Sequence, residues 1–565
     1  MSDPIKGSYI LMESLLREGV DTIFGYPGGS IIPVFDALYD YMDKFNYLLM
    51  RHEQGAVHAA EGYARVSGKP GVCIVTSGPG ATNTITGIGD AMMDSTPIIV
   101  ITGQVGTSSL GTDAFQEIDM VGITQPITKW ACQIRSADEV ADAVAKAFYI
   151  STTGRPGPVV LDFTKNAQNE LTNFHYERCT YYRSYIPAPH VCPEQIKEAA
   201  KLINEAQKPL AIVGQGVVLG NAENELLQFL EKADIPAAST LLGLSAMPTD
   251  FRLNKGFVGM HGNIAPNMKT NECDVLIAIG MRFDDRVTGN PNTYAQQAKI
   301  IHVDIDPAEI DKNVKTTAKV LGDAKETLAA LTQAINPARH EAWIQSFEPY
   351  EQKEQETVIE KELHHEGERI TMSEIVRKVS DATQQEAVLV TDVGQNQMAS
   401  ARYFQYKHTR SIVTSGGLGT MGFGIPAAIG AKVGAPERIV CLFVGDGGFQ
   451  MTIEELGTIM QSNIGVKMIL LNNNYLGMVR QWQELFFHKR YSSTAMANPD
   501  FNLIANAYHI ANRRVSNRSE MDEAIQDMLK DDQAYLLVVD VEENGLIYPM
   551  IPAGETVTNI LTPKV

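Results

Sequence analysis

The feature that most constrains the fold is a pair of motifs at the two ends of one β-α-β unit. An apolar run at 439–444 leads into Gly-Asp-Gly at 445–447, and a second run at 466–471 leads into Asn473. The stretch between them, 452–461, has helical character. Parallel strands joined by a crossover helix end at the same edge of a sheet, and open α/β sheets bind ligands at that edge. The sequence therefore predicts a parallel sheet with a ligand-binding site at the edge where these two strands end.

The side chains at this edge are those that a hard divalent cation prefers. Asp446 offers a carboxylate and Asn473 an amide oxygen, and both suit Mg²⁺. Gly447 and Gly448 leave backbone N–H groups free at the start of the next helix, which suits a diphosphate. Gly-Asp-Gly alone is usually a tight turn. Asn473, at the end of the next strand, favours instead a site that binds a metal ion and a diphosphate.

Length and composition limit the architecture and the partners. A chain of 565 residues exceeds one ordinary core, so two to four domains are expected. The apolar fraction of 44% and the charged fraction of 20% are typical of globular proteins. The net charge of −20 argues against nucleic acid and against an anionic membrane surface.

The start of the chain and its cysteines predict a compartment. Residues 1–6 form no apolar signal region, and no apolar run approaches membrane length. The six cysteines form no C-x-x-C pair and are expected to be small buried hydrophobic residues in a reducing compartment. They are Cys73, Cys132, Cys179, Cys192, Cys273 and Cys441. We therefore expect a soluble cytoplasmic protein.

Three segments repeat an alternation of short apolar strands with helices, which is typical of covered parallel sheets. The strands are predicted at 72–75, 98–102, 210–213, 275–279, 300–305, 388–393, 438–444, 466–471 and 535–541. A proline-rich stretch at 185–193 and a charged, partly helical stretch are predicted to connect the segments. The predicted domains are 1–184, 194–336 and 370–565, with 337–369 as the second connection.

The metal and diphosphate pattern resembles the signature of thiamine diphosphate enzymes. Such an enzyme needs an acid that hydrogen-bonds the pyrimidine ring of the cofactor, and Glu53 is the candidate. The alternative is that Glu53 is an ordinary first-turn glutamate, which the helix dipole favours.

Five further stretches make the resemblance closer. They are Gly-Tyr-Pro-Gly-Gly at 25–29, Arg-His-Glu-Gln-Gly at 51–55, Thr-Ser-Gly-Pro-Gly-Ala-Thr-Asn at 76–83, Gly-Leu-Gly-Thr-Met-Gly at 417–422 and Gly-Met-Val-Arg-Gln-Trp-Gln at 477–483. Over nearly the whole chain the sequence resembles the catalytic (large) subunit of acetohydroxyacid synthase, also called acetolactate synthase. The resemblance implies an α/β fold in which two parallel-sheet domains of the thiamine-diphosphate-binding type flank a central Rossmann-like domain that binds FAD.

The resemblance also implies roles around thiamine diphosphate. Glu53 would activate the cofactor, and Gly29 would lie against the reacting centre. Met421 would wedge the cofactor into its bent form, and the Gly419 carbonyl would accept from its amino group. Met421 has an alternative as a core gap-filler, but its glycine-rich loop favours the wedge. The residues implied at the diphosphate and the metal are Gln395, Asn396, Gly447, Gly448, Asp446, Asn473 and, through its carbonyl, Tyr475. The sequence departs at Asn396, where many relatives carry histidine.

The stretch Gly-Met-Arg-Phe-Asp-Asp-Arg-Val-Thr-Gly at 280–289 resembles the part by which the biosynthetic enzymes hold FAD. The alternative for 282–286 is a surface ion-pair cluster, which contributes little. The Gly-x-Gly turn at 214–216 is weak by itself. The flavin, in this family, serves chiefly to shape the site. The flavin-binding residues implied are Arg155, Thr240, Leu241, His261, Gly280, Arg282, Asp284, Asp304, Ile305 and Asp323.

Trp482 is implied to favour 2-oxobutanoate over pyruvate as the second substrate, since an indole face contacting one extra methyl group contributes about 1–3 kcal/mol. A core tryptophan is the alternative, but the flanking Gln481 and Gln483 argue against a dry core. The other residues implied near the substrates are Gln116 and Lys165, as catalytic groups, and Phe115, Met260 and Arg286.

The implied enzyme is a transferase that decarboxylates pyruvate and condenses it with a second 2-oxo acid. Pyruvate gives 2-acetolactate and 2-oxobutanoate gives 2-aceto-2-hydroxybutanoate, early in valine, leucine and isoleucine synthesis. The implied cofactors are thiamine diphosphate, Mg²⁺ and FAD. The implied partners are a second copy, in a homodimer or homotetramer with active sites between chains, and a separate small regulatory subunit.

Two alternatives to this function stay open on the sequence. Pyruvate oxidase, a redox relative, shares all three domains and both organic cofactors, although 282–289 and Trp482 argue against it. A folded relic that serves as a binding or scaffold subunit is the second, although Glu53, Asp446 and Asn473 are intact.

Overall fold

The computed structural model describes residues 3–563, which form three parallel sheets of six strands each. One sheet lies in each of the three predicted segments, so the predicted α/β fold is confirmed. Residues 1, 2, 564 and 565, which the terminal predicted domains include, lie outside the described residues. The exact domain bounds stay predictions.

The first sheet consists of strands that helices cover on both faces. The strands of this third are β1 (Ile5–Lys6), β2 (Thr22–Tyr26), β3 (Asn46–Leu49), β4 (Gly71–Val75), β5 (Ile98–Gln104), β6 (Trp130–Ile134), β7 (Val159–Thr164) and β8 (Leu171–Thr172). The helices are α1 (Gly7–Arg17), α2 (Ile32–Tyr39), α3 (Glu53–Ser67), α4 (Pro79–Thr82), α5 (Ile85–Met93), α6 (Met120–Thr124), α7 (Val140–Thr152) and α8 (Lys165–Asn169). The parallel order is β3-β2-β4-β5-β7-β6, and β1 pairs antiparallel with β8. Every residue of β4, β5 and β7 is buried, as expected for a sheet covered on both faces.

The middle sheet has the order of a dinucleotide-binding domain. Its strands are β9 (Pro209–Val213), β10 (Ala237–Ser239), β11 (Asn254–Phe257), β12 (Val275–Ile279), β13 (Lys299–Asp304) and β14 (Ala318–Leu321). Its helices are α9 (Pro193–Glu205), α10 (Gln215–Leu219), α11 (Glu223–Ala233), α12 (Ile264–Thr270), α13 (Asp285–Thr288) and α14 (Ala324–Ala334). The order β11-β10-β9-β12-β13-β14 is the 3-2-1-4-5-6 order of the Rossmann fold. The Rossmann-like prediction is confirmed.

The second predicted connection is packed rather than extended. It contains α15 (Glu341–Gln345), α16 (Glu348–Glu354), a π-helical turn at 355–359 and α17 (Glu360–Leu363). The indole N–H of Trp343 donates to the carbonyl of Pro209 at 2.7 Å, and the Lys269 ammonium lies 4.9 Å from the Trp343 ring centroid. These contacts attach the connection to the middle sheet.

The last third has the same connectivity as the first. Its strands are β15 (Val388–Thr391), β16 (Ile412–Val413), β17 (Val440–Gly445), β18 (Val466–Asn472), β19 (Ala511–Val515) and β20 (Tyr535–Asp540). Its helices are α18 (Met372–Ala382), α19 (Gln395–Tyr403), α20 (Gly424–Gly434), α21 (Asp446–Met451), α22 (Leu456–Ser462), α23 (Gly477–Phe486), α24 (Phe501–Ala507) and α25 (Arg518–Leu529). The order β16-β15-β17-β18-β20-β19 and the order of the first sheet are both 2-1-3-4-6-5. The two sheets are topological copies.

Helices α3 and α20 join the first and last sheets into one core. A Cβ at Gly62 would lie 2.0 Å from the carbonyl oxygen of Ala427, and one at Gly430 would lie 1.8 Å from that of Ala59. The two helices therefore cross with their backbones in contact, which requires glycine on each. One cluster of buried side chains extends from Phe24 in the first sheet across this crossing to the last sheet.

The prediction for the cysteines is right for three and wrong for three. Cys73, Cys273 and Cys441 are buried, whereas Cys132, Cys179 and Cys192 are partly exposed. Cys132 lies on the edge strand β6, and the other two lie in or beside the segment between the first two sheets, where less protein covers them. Among residues 3–563, no helix has the length and apolar character needed to cross a bilayer.

Candidate active site at the sheet edges

The predicted metal and diphosphate residues follow three neighbouring strands of the last sheet. Gln395 and Asn396 begin α19 after β15, Asp446 begins α21 after β17, and Asn473 follows β18. The strand order reverses between β15 and β17, and open sheets bind ligands outside such a point. The fold therefore brings these four residues to one edge.

The Asp446 carboxylate is buried with neutral partners. Its side chain is 1% exposed, Oδ2 accepts from Asn498 Nδ2 at 2.6 Å, and Oδ1 accepts from the Gly447 N–H at 3.0 Å. Burial raises the pKa of Asp446 above its ordinary value. A buried carboxylate that makes these bonds with neutral groups alone fits a metal ion, which would supply the missing positive charge.

Asn473 and Gln395 lie side by side at the same edge. Asn473 Nδ2 donates to Gln395 Oε1 at 3.5 Å, and Asn473 Oδ1 accepts from the Tyr475 N–H at 3.1 Å. Gln395 Nε2 is engaged elsewhere, with Gln481 Oε1 and the Gly545 carbonyl, each at 2.9 Å. Gln395 therefore offers a diphosphate its backbone N–H at the start of α19 rather than its side-chain amide.

Asn396 and Met421 border the same seat. Asn396 is 4% exposed, and its Oδ1 has no hydrogen-bond partner among residues 3–563, which is costly for a buried polar atom. Met421 is partly exposed, and its Cε would lie 2.8 Å from a Cβ at Gly447. Its position beside the diphosphate seat argues against the core gap-filler and favours the wedge.

Glu53 lies at the corresponding edge of the first sheet. It begins α3, and its Oε2 accepts from Asn83 Nδ2 at 2.9 Å. A Cβ at Gly80 would lie 3.2 Å from Glu53 Oε1. The 76–83 turn therefore contacts the candidate acid directly and fixes its orientation.

Three of the other four predicted residues of this edge, Gly29, Phe115 and Lys165, are open to solvent, and Gln116 is partly exposed. A Cβ at Gly29 would have no neighbour within 4 Å, and Phe115 is 87% exposed. Gln116 has a φ of +60° and packs against Gly78, whereas Lys165 is exposed at the start of α8. The acid edge is therefore accessible to solvent, and its surface includes the large apolar side chain of Phe115.

Glu455, which the sequence did not single out, fixes the turn before Glu53. Its carboxylate accepts from the backbone N–H groups of Arg51 and His52 at 3.1 Å. Burial outweighs these bonds and raises the pKa of Glu455 to about 7. Since Glu455 belongs to the last third of the chain, only the folded structure reveals this contact.

A cavity of about 1050 Å³ lies at the carboxyl edge of the middle sheet. This volume is at the upper end of the about 300–1,000 Å³ that is usual for ligand pockets. All the residues predicted to bind flavin line it: Arg155, Thr240, Leu241, His261, Gly280, Arg282, Asp284, Asp304, Ile305 and Asp323. The fold thus brings together residues from the first and middle sheets that are far apart in sequence.

The cavity is built at the point where the order of the middle sheet reverses, between β9 and β12. Gly216 and Gly280 follow these strands, and a Cβ at Gly280 would lie 2.6 Å from the Gly216 Cα. Gly280 has a φ of +58°, which favours glycine. A backbone that approaches this closely at a strand-order reversal fits a dinucleotide.

The charged stretch at 282–286 is not a tight ion-pair cluster. Arg282 and Arg286 lie 3.7 and 3.8 Å from the carboxylates of Asp284 and Asp285. Asp284 instead caps α13, as it accepts from the backbone N–H groups of Arg286 and Val287. Asp323 caps α14 in the same way. Both aspartates therefore stabilise helices as well as line the cavity.

His261 offers the cavity unpaired ring nitrogens. The side chain is buried, and neither ring nitrogen has a partner among the residues that the structure describes. Burial, and next the positive charge of Arg402, lower the pKa of His261 to about 3. The neutral imidazole can donate or accept one hydrogen bond with a ligand.

Three residues predicted to meet the substrates line the same cavity, namely Met260, Arg286 and Trp482. Trp482 is half-buried, with its ring centroid 5.1 Å from that of Phe486, so it is not a core tryptophan. The prediction that both neighbouring glutamines are wet is wrong for Gln481, which is fully buried and whose side-chain amide hydrogen-bonds the backbone of Ile547.

The described residues that line this cavity do not include Glu53, Gln116 or Asp446. Within one chain, we call three places the acid edge (29, 53, 115, 116, 165), the metal edge (395, 396, 446, 473) and the flavin cavity. Gly419, which the resemblance places at thiamine diphosphate, lines the flavin cavity.

Comparison with known proteins assigns the chain to a family. Family models of thiamine pyrophosphate (thiamine diphosphate) enzymes match it three times, as the N-terminal TPP binding domain at 5–123, the central domain at 196–331 and the C-terminal TPP binding domain at 392–539. The acetolactate synthase large subunit of Lactococcus lactis is 43% identical over 98% of this chain and 96% of its own length. The chain belongs to the acetolactate synthase large-subunit family.

Other members of the acetolactate synthase family are similar to nearly the same degree. The isozyme 2 large subunit of Escherichia coli is 42% identical over 99% of both chains. The chloroplastic acetolactate synthase of Arabidopsis thaliana is 41% identical over 99% of this chain and 85% of its own length. The resemblance inferred from the motifs is thereby confirmed, and so is the class of enzyme.

Proposed function

We propose that this acetolactate synthase homologue decarboxylates pyruvate and joins the remaining two-carbon unit to a second 2-oxo acid. Pyruvate as acceptor gives 2-acetolactate, and 2-oxobutanoate gives 2-aceto-2-hydroxybutanoate, in branched-chain amino-acid biosynthesis. The strongest support is that one sheet edge brings together Asp446, Asn473 and Gln395. The chain that carries this edge matches acetolactate synthases over nearly its full length.

Thiamine diphosphate and Mg²⁺ would bind at the metal edge. Asp446, Asn473 and the Tyr475 carbonyl would hold the ion, and the N–H groups of Gly448 and the start of α19 would hold the diphosphate. The Gly447 N–H, predicted to be free, donates to Asp446 Oδ1 and would join them only by leaving that bond. Asp446 is buried and accepts hydrogen bonds from the neutral Asn498 amide and the Gly447 N–H, which supports this assignment.

Bound thiamine diphosphate supplies a carbon nucleophile and an electron sink for loss of CO₂. Glu53 would hold a proton at a ring nitrogen of the cofactor, in a position that Asn83 and Glu455 fix. Met421 would bend the cofactor, and the Gly419 carbonyl would accept from its amino group. Gly29, Gln116 and Lys165 would lie near the reacting carbon.

FAD would occupy the flavin cavity and shape the site rather than take part in redox chemistry. Arg286 would bind the carboxylate of the acceptor, and the Trp482 indole face would contact its extra methyl group. Met260 and Phe115 would complete the apolar wall. The shared cavity of Met260, Arg286, Trp482 and the predicted flavin residues supports this arrangement.

We also propose that the complete site forms between two copies of the chain, in a homodimer or homotetramer. The acid edge of one copy would face the metal edge of the other and exclude water. Exposed apolar side chains lie near both edges: Ile32 at the start of α2 and Phe115 near the first, and Met451, which packs against Gly422, near the second. Such surfaces are typical of interfaces. A separate regulatory subunit and a cytoplasmic location complete the proposal.

The function is tested by identifying products. The purified chain, supplied with thiamine diphosphate, Mg²⁺ and FAD, is expected to convert pyruvate to 2-acetolactate and, with 2-oxobutanoate added, to form 2-aceto-2-hydroxybutanoate. Stoichiometric oxygen consumption or bleaching of the flavin by pyruvate would instead indicate an oxidase. Absence of any turnover with all three cofactors would support a scaffold role.

Trp482→Leu is expected to lower the preference for 2-oxobutanoate over pyruvate by about tenfold, because the apolar contact with one methyl group contributes about 1–3 kcal/mol. The two products are measured in competition at fixed ratios of the two acceptors. Trp482→Phe, which keeps an aromatic face, is the matched control and is expected to retain most of the preference. An unchanged product ratio in Trp482→Leu would exclude the residue as a specificity determinant.

A further inference from the structure

Helix α19 extends from the metal edge to the wall of the flavin cavity. It begins with Gln395 and Asn396 at the diphosphate seat, and Arg402 lies in its last turn. The Arg402 side chain is 1% exposed and points into the middle third of the chain. One rigid element therefore contacts both candidate cofactor sites.

Arg402 donates to the loop that carries His261. Its Nη1 lies 3.1 Å from the His261 carbonyl oxygen and 3.4 Å from that of Gly262. Its Nη2 donates to Glu354 Oε1 at 2.6 Å. No other side chain among residues 3–563 donates to these two carbonyls, so Arg402 alone fixes this part of the cavity wall through side-chain hydrogen bonds.

Glu354 holds the far end of the same loop. Its carboxylate is buried, and it accepts from Asn263 Nδ2 at 2.9 Å and from the Ile264 N–H, at the start of α12, at 2.6 Å. The Arg402–Glu354 pair therefore spans the loop from His261 to Ile264. Breaking a buried ion pair is costly, so the loop and the helix are expected to move together.

The start of the loop is held by other contacts. The Met260 N–H donates to the Arg286 carbonyl at 2.8 Å, and the Ile551 N–H donates to the Met260 carbonyl at 2.8 Å. The Gly259 N–H donates to Asn267 Oδ1 at 3.0 Å. The Gly262 N–H donates to the Gly259 carbonyl at 2.9 Å. Removing Arg402 would therefore free the carbonyl groups of His261 and Gly262 without releasing the whole loop.

We propose that Arg402 is a positioning residue that couples the thiamine diphosphate seat to the flavin cavity through α19, so that each cofactor strengthens the binding of the other. This inference rests on the cofactor sites of the proposed function. A ligand that fixes the position of α19 at its start also fixes Arg402 at its end, which reduces the cost of ordering the His261 loop. The effect is reciprocal, because coupling between two binding sites is a property of both.

The experiment measures FAD affinity on cofactor-free protein by quenching of flavin fluorescence, with and without saturating thiamine diphosphate and Mg²⁺. In the unmodified chain, thiamine diphosphate with Mg²⁺ is expected to tighten FAD binding by about fivefold or more, the lower range of measured couplings. In Arg402→Met/Glu354→Gln, FAD alone is expected to bind about tenfold more weakly, and the effect of thiamine diphosphate is expected to disappear.

The double variant removes both partners of the buried ion pair together, so Glu354 is not left as a buried carboxylate without its counter-charge. Arg402→Lys keeps the positive charge opposite Glu354 but loses the planar fork of donors, and it is expected to lose more than half of the coupling. Arg513→Met is the matched control, because Arg513 makes exposed ion pairs with Glu523 and Asp527 in the same third of the chain. It is expected to behave like the unmodified chain.

The outcomes separate this inference from the function on which it rests. If the double variant or Arg402→Lys showed normal FAD affinity and full coupling, the role of Arg402 would be overturned and the proposed function would stand. An unmodified chain that binds FAD without any response to thiamine diphosphate would overturn the coupling. An unmodified chain that binds no FAD would overturn the flavin site of the proposed function and this inference with it.

Discussion

Glu53→Gln is expected to lower kcat for acetolactate formation by about 100-fold or more, with the fold and the affinity for thiamine diphosphate largely retained. Proton transfer by a positioned side chain contributes about 10²–10⁴-fold. Glutamine has the same shape and can still accept from Asn83 Nδ2, which Glu53 does at 2.9 Å, so the local structure is preserved. It cannot hold and release a proton. Steady-state kinetics and cofactor titrations measure the two quantities separately.

A glutamate remote from both edges provides the control for this substitution. Glu231→Gln on the exposed face of α11 makes the same chemical change and is expected to leave kcat unchanged. If Glu53→Gln turned over at the rate of the unmodified chain, the acid would have to be another residue, and the assignment of the first sheet edge would be wrong.

Asp446→Ala is expected to weaken binding of thiamine diphosphate with Mg²⁺ by more than 100-fold. Loss of a partner that only orients a metal ligand typically costs about 10–100-fold, and the loss of the ligand itself exceeds that. Asn498→Ala, which removes the 2.6 Å hydrogen bond to Asp446, is the comparison variant and is expected to fall within that smaller range. Calorimetric titration of the cofactor at fixed Mg²⁺ measures both affinities.

Thermal unfolding of the cofactor-free protein distinguishes a metal ligand from a structural aspartate. Asp446 is buried with neutral partners, so its removal is expected to leave the unfolding temperature unchanged or to raise it. A large drop in the unfolding temperature together with unchanged cofactor affinity would show that the carboxylate serves the fold and that the metal site lies elsewhere.

Much of the fold follows from short apolar runs. The predicted strand at 275–279 matches β12, and those at 466–471 and 535–541 match β18 and β20 to within one residue. Strands buried on both faces contain few polar residues, and glycine or aspartate follows where the chain leaves the sheet. The same logic located Asp446, because motifs at the ends of parallel strands must meet at one edge.

The residues that orient the site carry no local signal. Asn498 holds Asp446, Glu455 holds the turn before Glu53, and Gln481 holds Gln395. In each pair the two partners are far apart in sequence. Only the folded chain brings these pairs together, so periodicity and motif spacing cannot predict them. The sequence alone indicates Asn396 as a candidate diphosphate residue, but it does not reveal that Oδ1 has no hydrogen-bond partner among residues 3–563.

The contact of α3 with α20 has a consequence for how the chain is made. Helix α3 is synthesised early, whereas α20 belongs to the last third of the chain. The apolar face of α3 therefore stays uncovered while the ribosome makes the whole middle third of the polypeptide. Exposed apolar surface of this kind aggregates or recruits chaperones. Truncated products that lack α20 are therefore expected to be insoluble, even though they contain every strand of the first sheet.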